Sequence, residues 1–150
     1  MCGSRIIDDF INLDMQLLKG VDVIAYIDPF RPIIPFRDDS FEYIYFNNGP
    51  EHILNINQLI QEMYRISKDN AEWYLLTPGY LDPNSWNDPT HYSHWTRSIL
   101  QFYTKEGFDS RRYEPALLEY KVNGDESHGL EFFVRVVKEK PPVSIKMTTQ

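Results

Sequence analysis

Two aspartates stand where short apolar runs give out. Asp14 closes Phe10-Ile11-Asn12-Leu13-Asp14, and Asp28 closes Val21-Asp22-Val23-Ile24-Ala25-Tyr26-Ile27-Asp28. A carboxylate at the end of a strand can accept hydrogen bonds from two vicinal hydroxyls. Open α/β sheets hold the ribose of a nucleoside in this way, a short distance after a glycine loop. Asp14 fits that work relative to Gly3. Asp28 would then meet the exocyclic amine of an adenine ring, with backbone groups near Ile27 and Pro29 along the ring edge. Each acid also has a plainer occupation. A strand-end Asp often caps neighbouring backbone N–H groups, and Asp-Pro commonly opens a turn.

A second group of reactive residues comes later. The four histidines are His52, His91, His94 and His128, and Asp88 lies just before His91-Tyr92-Ser93-His94. Zinc would need imidazole nitrogens converging at about 2.0–2.1 Å. The spacing of His91 and His94 allows that only in a helix, and Pro89 precedes the segment; no metal is assigned. Alternatively, the segment lines a substrate pocket, with His91 as general base and Asp88 orienting it, since an unperturbed imidazole titrates near 6.5. The third reading is architectural: Asp88 and Thr90 cap a turn, while Tyr92 and Trp95 close the core.

Positioning these groups requires a scaffold. Residues 10–14 and 21–28 read as short strands, and Pro29, Pro32 and Pro35 bar regular structure after them. Phe41-Glu42-Tyr43-Ile44-Tyr45-Phe46 reads as a third strand ending at Asn47-Asn48-Gly49-Pro50. From Ile53 to Ile66 the spacing becomes helical, with Ile56, Leu59, Ile60, Met63 and Ile66 on one face and Asp69-Asn70 as the stop. Glu51 is expected as a first-turn acid of that helix. Residues 71–77 form a fourth strand, stopped by Pro78-Gly79. A polar, aromatic loop runs from Tyr80 to Trp95, and Thr96 is placed to cap a helix carrying Ile99, Leu100, Phe102 and Tyr103, with Gly107 as its stop. Residues 113–122 and 130–138 flank Asn123–Gly129 as a long antiparallel hairpin. The expected domain is 1–140, with 141–150 as a tail. Strands alternating with helices favour a mostly parallel sheet, and the hairpin adds an antiparallel edge. Ligands of such sheets bind beyond the carboxyl ends of the strands. Asp14, Asp28, Asn47-Asn48 and Thr77-Pro78-Gly79 should therefore gather on one rim.

Bulk properties narrow the partners. The 150 residues suit one domain with a sizeable core. A formal charge of −7 argues against a nucleic-acid surface, which needs clustered Lys and Arg. No run of about 18 apolar residues exists to span a membrane. The first residues lack the order of a signal peptide, and a single cysteine, Cys2, fits a reducing cytoplasm.

The stretch "PFRDDSFEYIYFNNGPEHI" at 35–53 is the most distinctive. It resembles the segment of class I S-adenosylmethionine-dependent methyltransferases in which an "LPF-x-D-x-SFD" run leads into the fourth strand and "EH" follows. "EMYRISKDNAEWYLLTPG" resembles the next helix and strand of that family, of the type 11 kind, and "NDPTHYSHWT" resembles a loop of one subgroup. The likeness extends from Gly3 to about Gly107, and more loosely to Lys138. It implies a Rossmann-like α/β fold, S-adenosylmethionine as cofactor, and a methyl acceptor that the acidic surface suggests is a small molecule. It further implies that Gly3 ends the cofactor loop, Asp14 holds the ribose, Ile27 and Asp28 flank the adenine, and Asn47 lies near the methionine part. His52 would pack beneath the methyl donor.

Departures accompany the likeness. The family's first strand and most of its glycine loop would precede Gly3, so the chain is expected to be an N-terminally truncated version of the fold. Glu42 stands where Asp is usual, and Lys68-Asp69-Asn70-Ala71 replaces the usual "KPGG" turn. The missing strand belongs at the centre of the sheet, and an unmade buried hydrogen bond costs about 1–3 kcal/mol. Either the neighbouring strands close the gap, or the 143–147 segment or a partner chain in a homo-oligomer fills it, or the chain is a fragment of a longer gene product. The alternative to an enzyme is a non-catalytic binding or assembly module that has lost the cofactor.

Overall fold

A computed structural model describes residues 6–105 and 118–138. Gly3, Gly107 and the 141–150 tail lie outside the described residues. Two β-sheets carry the architecture. In the smaller, β1 (Leu13–Asp14) pairs in parallel with β2 (Val23–Ile24). The larger has the order β3-β4-β6-β5, with β3 (Phe41–Asn47) parallel to β4 (Ser67–Pro78). Its remaining strands, β5 (Leu118–Gly124) and β6 (Gly129–Val136), form the antiparallel hairpin that the sequence suggests, and β6 pairs antiparallel with β4.

Both strands of the small sheet are shorter than their apolar runs. Side chains replace part of the ladder: Asp22 Oδ2 accepts the Asn12 backbone N–H at 2.8 Å, and the Asn12 amide group binds Ile7 and Phe10 carbonyls. A cavity of about 160 Å³ separates the two sheets, walled by Phe10, Ile11 and Leu13 on one side and Tyr43, Tyr45 and Asn47 on the other. The resemblance would place a further strand there. Among the described residues, no strand bridges β1 and β3.

Helix α1 (Ile56–Ile66) follows the predicted stripe. Leu59, Ile60, Met63 and Ile66 are buried, against the sheet face made by Trp73 and Leu75 of β4 and Phe132 and Val134 of β6. The helix begins later than its apolar pattern. Asn55 is the cap, its side chain accepting the Gln58 N–H at 3.1 Å, and Pro50–His52 forms a separate 3₁₀ turn before it. Glu51 is therefore not a first-turn acid of α1. The helix also ends earlier than expected. Ser67 is already extended and pairs with Phe41, because its hydroxyl donates to the Met63 carbonyl at 2.6 Å and accepts the Trp73 indole N–H at 2.8 Å. Asp69-Asn70 thus lies inside β4, where Asn70 takes a positive φ of 62°.

After β4 the chain makes a short helix, α2 (Pro83–Asn87), within the segment read as loop. The helix expected after Thr96 is a 3₁₀ turn, Ile99–Tyr103, preceded by Ser98. Gly79 joins this region to the hairpin. A Cβ there would lie 2.6–2.8 Å from backbone atoms of Glu126, which cannot swing aside as a side chain could. Gly79→Ala is expected to cost about 1–3 kcal/mol of stability, read as a lower denaturant midpoint with unchanged slope; an unchanged midpoint would show that the hairpin loop moves freely.

The opposite face of the large sheet carries aromatic rings. Tyr45 stacks on Tyr74 at 5.1 Å between centroids, and Tyr74 meets Phe133 edge-on at 5.2 Å. No described helix is long and apolar enough to cross a membrane.

Candidate functional site

The carboxyl ends of β1 and β3 and the segment after β2 meet at a cleft of about 220 Å³. Leu13, Ala25, Ile27 and Phe46 supply apolar walls, and His52 and Thr90 close one side. Sequence built this rim in stages. Asn48 takes a positive φ of 45°, a conformation that Asn tolerates. Its N–H is held by the Leu76 carbonyl at 2.8 Å. The chain then turns through Gly49 and Pro50, so that Glu51 is buried while His52 stays partly open.

The segment 90–93 is stitched onto that turn by backbone. The Glu51 carbonyl accepts both the Tyr92 and the Ser93 N–H, at 2.9 and 3.0 Å. The Ser93 hydroxyl donates to the Pro50 carbonyl at 3.1 Å. These bonds bring His91 over Glu51 and His52. One ligand-type atom from each of the three residues lies within 4.8 Å of the others, and the His52 and His91 rings meet edge-on at 4.7 Å.

The electrostatics of this corner are unusual. Glu51 is 2% exposed. Burial pushes its carboxyl above the usual carboxylate range, opposed by its own backbone N–H, by the two neighbouring imidazoles and by the Thr77 hydroxyl. Five buried side-chain polar atoms among the described residues have no hydrogen-bond partner: Asn47 Oδ1, Glu51 Oε2, Asn57 Oδ1, Thr77 Oγ1 and His91 Nδ1. All but Asn57 lie at or just beyond the ends of β3 and β4 or on the segment laid across them. Leaving such a group unsatisfied costs about 1–3 kcal/mol, so a cluster of them on one rim is a mark of a ligand site.

The acids anticipated from sequence have mixed placements. Asp14 is buried, and its Oδ1 accepts the Gln16 N–H at 2.9 Å. Asp28 Oδ1 accepts the N–H groups of Phe30 and Arg31, at 2.7 and 3.1 Å, making the turn that Asp-Pro suggests. Ile27 lines both the cleft and the inter-sheet cavity, and Asn47 lines the cavity. Asp88 holds a turn: its Oδ1 accepts the Thr90 hydroxyl at 2.6 Å and the Thr90 N–H at 2.8 Å, and these bonds hold its carboxyl below its ordinary value. Its other oxygen lies 3.7 Å from His91 Nε2, within ion-pair reach but too long for a hydrogen bond.

His94 parts company with His91. It bonds the Ser85 hydroxyl at 3.1 Å and stacks on Trp86 at 3.6 Å. The set of Asp88, His91 and His94 considered for zinc is therefore not assembled. The set that does assemble, with Glu51 and His52, was invisible along the chain. Its members are brought together by backbone bonds between segments about forty residues apart, and no local spacing signals that.

The strand order, with two parallel pairs and an antiparallel hairpin at one edge, is that of a Rossmann-like α/β fold. No family model and no curated protein sequence matches the chain; solved structures do. An S-adenosylmethionine-dependent methyltransferase of Aquifex aeolicus superposes with a TM-score of 0.53 at 15% identity, over 80% of this chain and 57% of that one. The YcgJ protein of Bacillus subtilis gives 0.53 at 14%, over 71% and 68%. A candidate type 11 methyltransferase of Sulfolobus solfataricus gives 0.50 at 14%, over 86% and 71%. This chain thus spans little more than half the length of the Aquifex protein.

Proposed function

We propose that the chain is an adenosyl-binding methyltransferase domain that serves transfer of a methyl group from S-adenosylmethionine to a small-molecule acceptor. The observation that carries this reading is the apolar cleft at the carboxyl ends of β1 and β3, flanked by unpartnered buried polar atoms. Ligands of open α/β sheets bind in that position. The residues present fit the cofactor: Leu13, Ala25 and Ile27 offer apolar contacts to a ring, Asp14 and Asp28 adjoin two of these wall residues in sequence, and Asn47 Oδ1, on the neighbouring cavity, retains an unused acceptor.

S-adenosylmethionine, when bound, supplies a methyl group already activated on a sulfonium. What remains for the protein is to align the acceptor, exclude water and remove a proton. The 90–93 segment, pinned to the Glu51 carbonyl, forms the acceptor wall. His91, carried on that segment, is the imidazole assigned to take the acceptor's proton when no cation occupies its lone pair. Asp88 acts on it indirectly, by fixing the Thr90 turn.

One observation favours the alternative of a non-catalytic module: Asp14 and Asp28 both accept bonds from nearby backbone N–H groups. Ligand-induced stabilisation separates the two. S-adenosylhomocysteine at a hundred times its Kd stabilises a specific site by about 2.7 kcal/mol, visible as a rise in Tm. Asp14→Ala is expected to abolish most of that rise. A rise that survives Asp14→Ala would remove Asp14 from the ribose role, and none in the wild type would favour the module.

A further inference from the structure

We propose that Glu51, His52 and His91 form a binding site for one divalent transition-metal cation, with zinc the best match to the donor set. Two imidazoles and one carboxylate are the ligands that hold zinc while leaving positions open to water or substrate. The ligand-type atoms of the three residues already lie within 4.8 Å of one another. Donors about 2.1 Å from a tetrahedral ion stand about 3.4 Å apart, so modest side-chain movement closes the site.

Two independent features indicate a cation rather than chance proximity. Glu51 is 2% exposed, and its Oε2 has no hydrogen-bond partner within range, the nearby Thr77 hydroxyl offsetting its burial only in part. His91 Nδ1 is likewise buried and unpartnered. A positive ion between them satisfies both atoms at once and neutralises a carboxylate that burial otherwise disfavours.

His52 is prepared by its surroundings. Its Nδ1 lies 3.0 Å from the Thr90 carbonyl, which only accepts, and 3.1 Å from the Thr90 hydroxyl. That hydroxyl spends its own proton on Asp88, at 2.6 Å. Nδ1 therefore carries hydrogen, and the lone pair of His52 sits on Nε2. Metal-binding histidines are commonly fixed through their second nitrogen in this manner.

The position also suggests a use. His52 and Thr90 line the cleft beside Leu13 and Ile27, so open coordination positions would face the acceptor. An acceptor hydroxyl or carboxylate bound there would be oriented by the cation. A hydroxyl would also lose its proton more readily on coordination, and His91, its lone pair committed, would act as a ligand instead of a base. Cation binding does not depend on the methyltransferase reading; its use on the acceptor does.

The test uses the full chain, purified without a histidine tag and stripped with chelator. Calorimetric titration with Zn²⁺ is expected to show one ion per chain, and Co²⁺ to show ligand-field bands unlike those of the aqueous ion. His52→Ala and His91→Ala should each weaken Zn²⁺ binding by at least about tenfold, while His128→Ala leaves it unchanged. An aqueous-type Co²⁺ spectrum in the wild type, or Zn²⁺ affinity unaltered in both folded variants, overturns the site; the spectrum decides even if a variant fails to fold. S-adenosylhomocysteine binding on the same samples keeps the two proposals apart. Nucleoside binding without cation binding defeats only this inference, and the converse defeats only the methyltransferase reading.

Discussion

Trp73→Ala is expected to lower the unfolding free energy by about 3–5 kcal/mol, the range for emptying a large aromatic site in a core. Trp73 is 1% exposed and lies on the central strand β4, paired with Ile44 of β3 on one side and Val134 of β6 on the other. Its loss opens a cavity beneath α1. It also takes away the indole N–H that bonds Ser67, whose own hydroxyl holds the last turn of α1 through the Met63 carbonyl. Domains of this size hold about 5–15 kcal/mol in total, so the variant should approach unfolding at ambient temperature. Urea denaturation followed by circular dichroism measures the effect. A loss under about 1 kcal/mol would mean that the core does not close around this ring.

Arg65→Ala is the second large effect, about 2–4 kcal/mol. Its guanidinium bonds both oxygens of Glu62 at 2.8 Å, the Ile34 and Phe36 carbonyls at 2.9 and 2.8 Å, and Asp38 at 2.8 Å. The side chain is 31% exposed and so only partly screened. This one residue ties the proline-rich segment after β2 to α1, and that segment carries Ile34 and Phe36 into the inter-sheet cavity wall. Glu62 responds in turn. Arg65 and the Ile34 N–H hold its carboxyl below its ordinary value. A depressed folded pKa gives stability that is complete above the unfolded value, about 4.3, and is lost as pH falls through the folded one. Wild-type stability should therefore fall with acid in that window, and Arg65→Ala should flatten the slope. Denaturation midpoints measured from pH 6 down to about 3 read both effects; parallel curves would show that the pair contributes nothing.

The parts of the fold legible along the chain are those with strong periodicity. The α1 stripe and the alternation of β6, with Leu130, Phe132, Val134 and Val136 buried, follow directly from side-chain spacing. Boundaries were less legible because side-chain bonds decide them: Asn55 starts α1 later, Ser67 starts β4 earlier, and Asn12 with Asp22 takes over from the ladder beside β1.

At the rim, Asp14 and Asn47 close β1 and β3 as their apolar runs suggest, whereas Asp28 lies beyond the end of β2 and holds a turn. The chemistry of its far corner could not be foreseen. Glu51 reads as an ordinary helix-start acid until Pro50 and Asn55 are seen to place it in a separate, buried turn. His91 reads as a partner of His94 until the backbone bonds to Glu51 turn it the other way. Such tertiary pairing leaves no trace in local spacing.

Titration calorimetry of the full chain with S-adenosylhomocysteine tests the central claim most directly. Saturable binding of one nucleoside per chain, well below millimolar, is expected, and its loss when Ile27 in the cleft wall is replaced by a charged residue (Ile27→Glu). Heats no larger than those of dilution at millimolar ligand would contradict that claim.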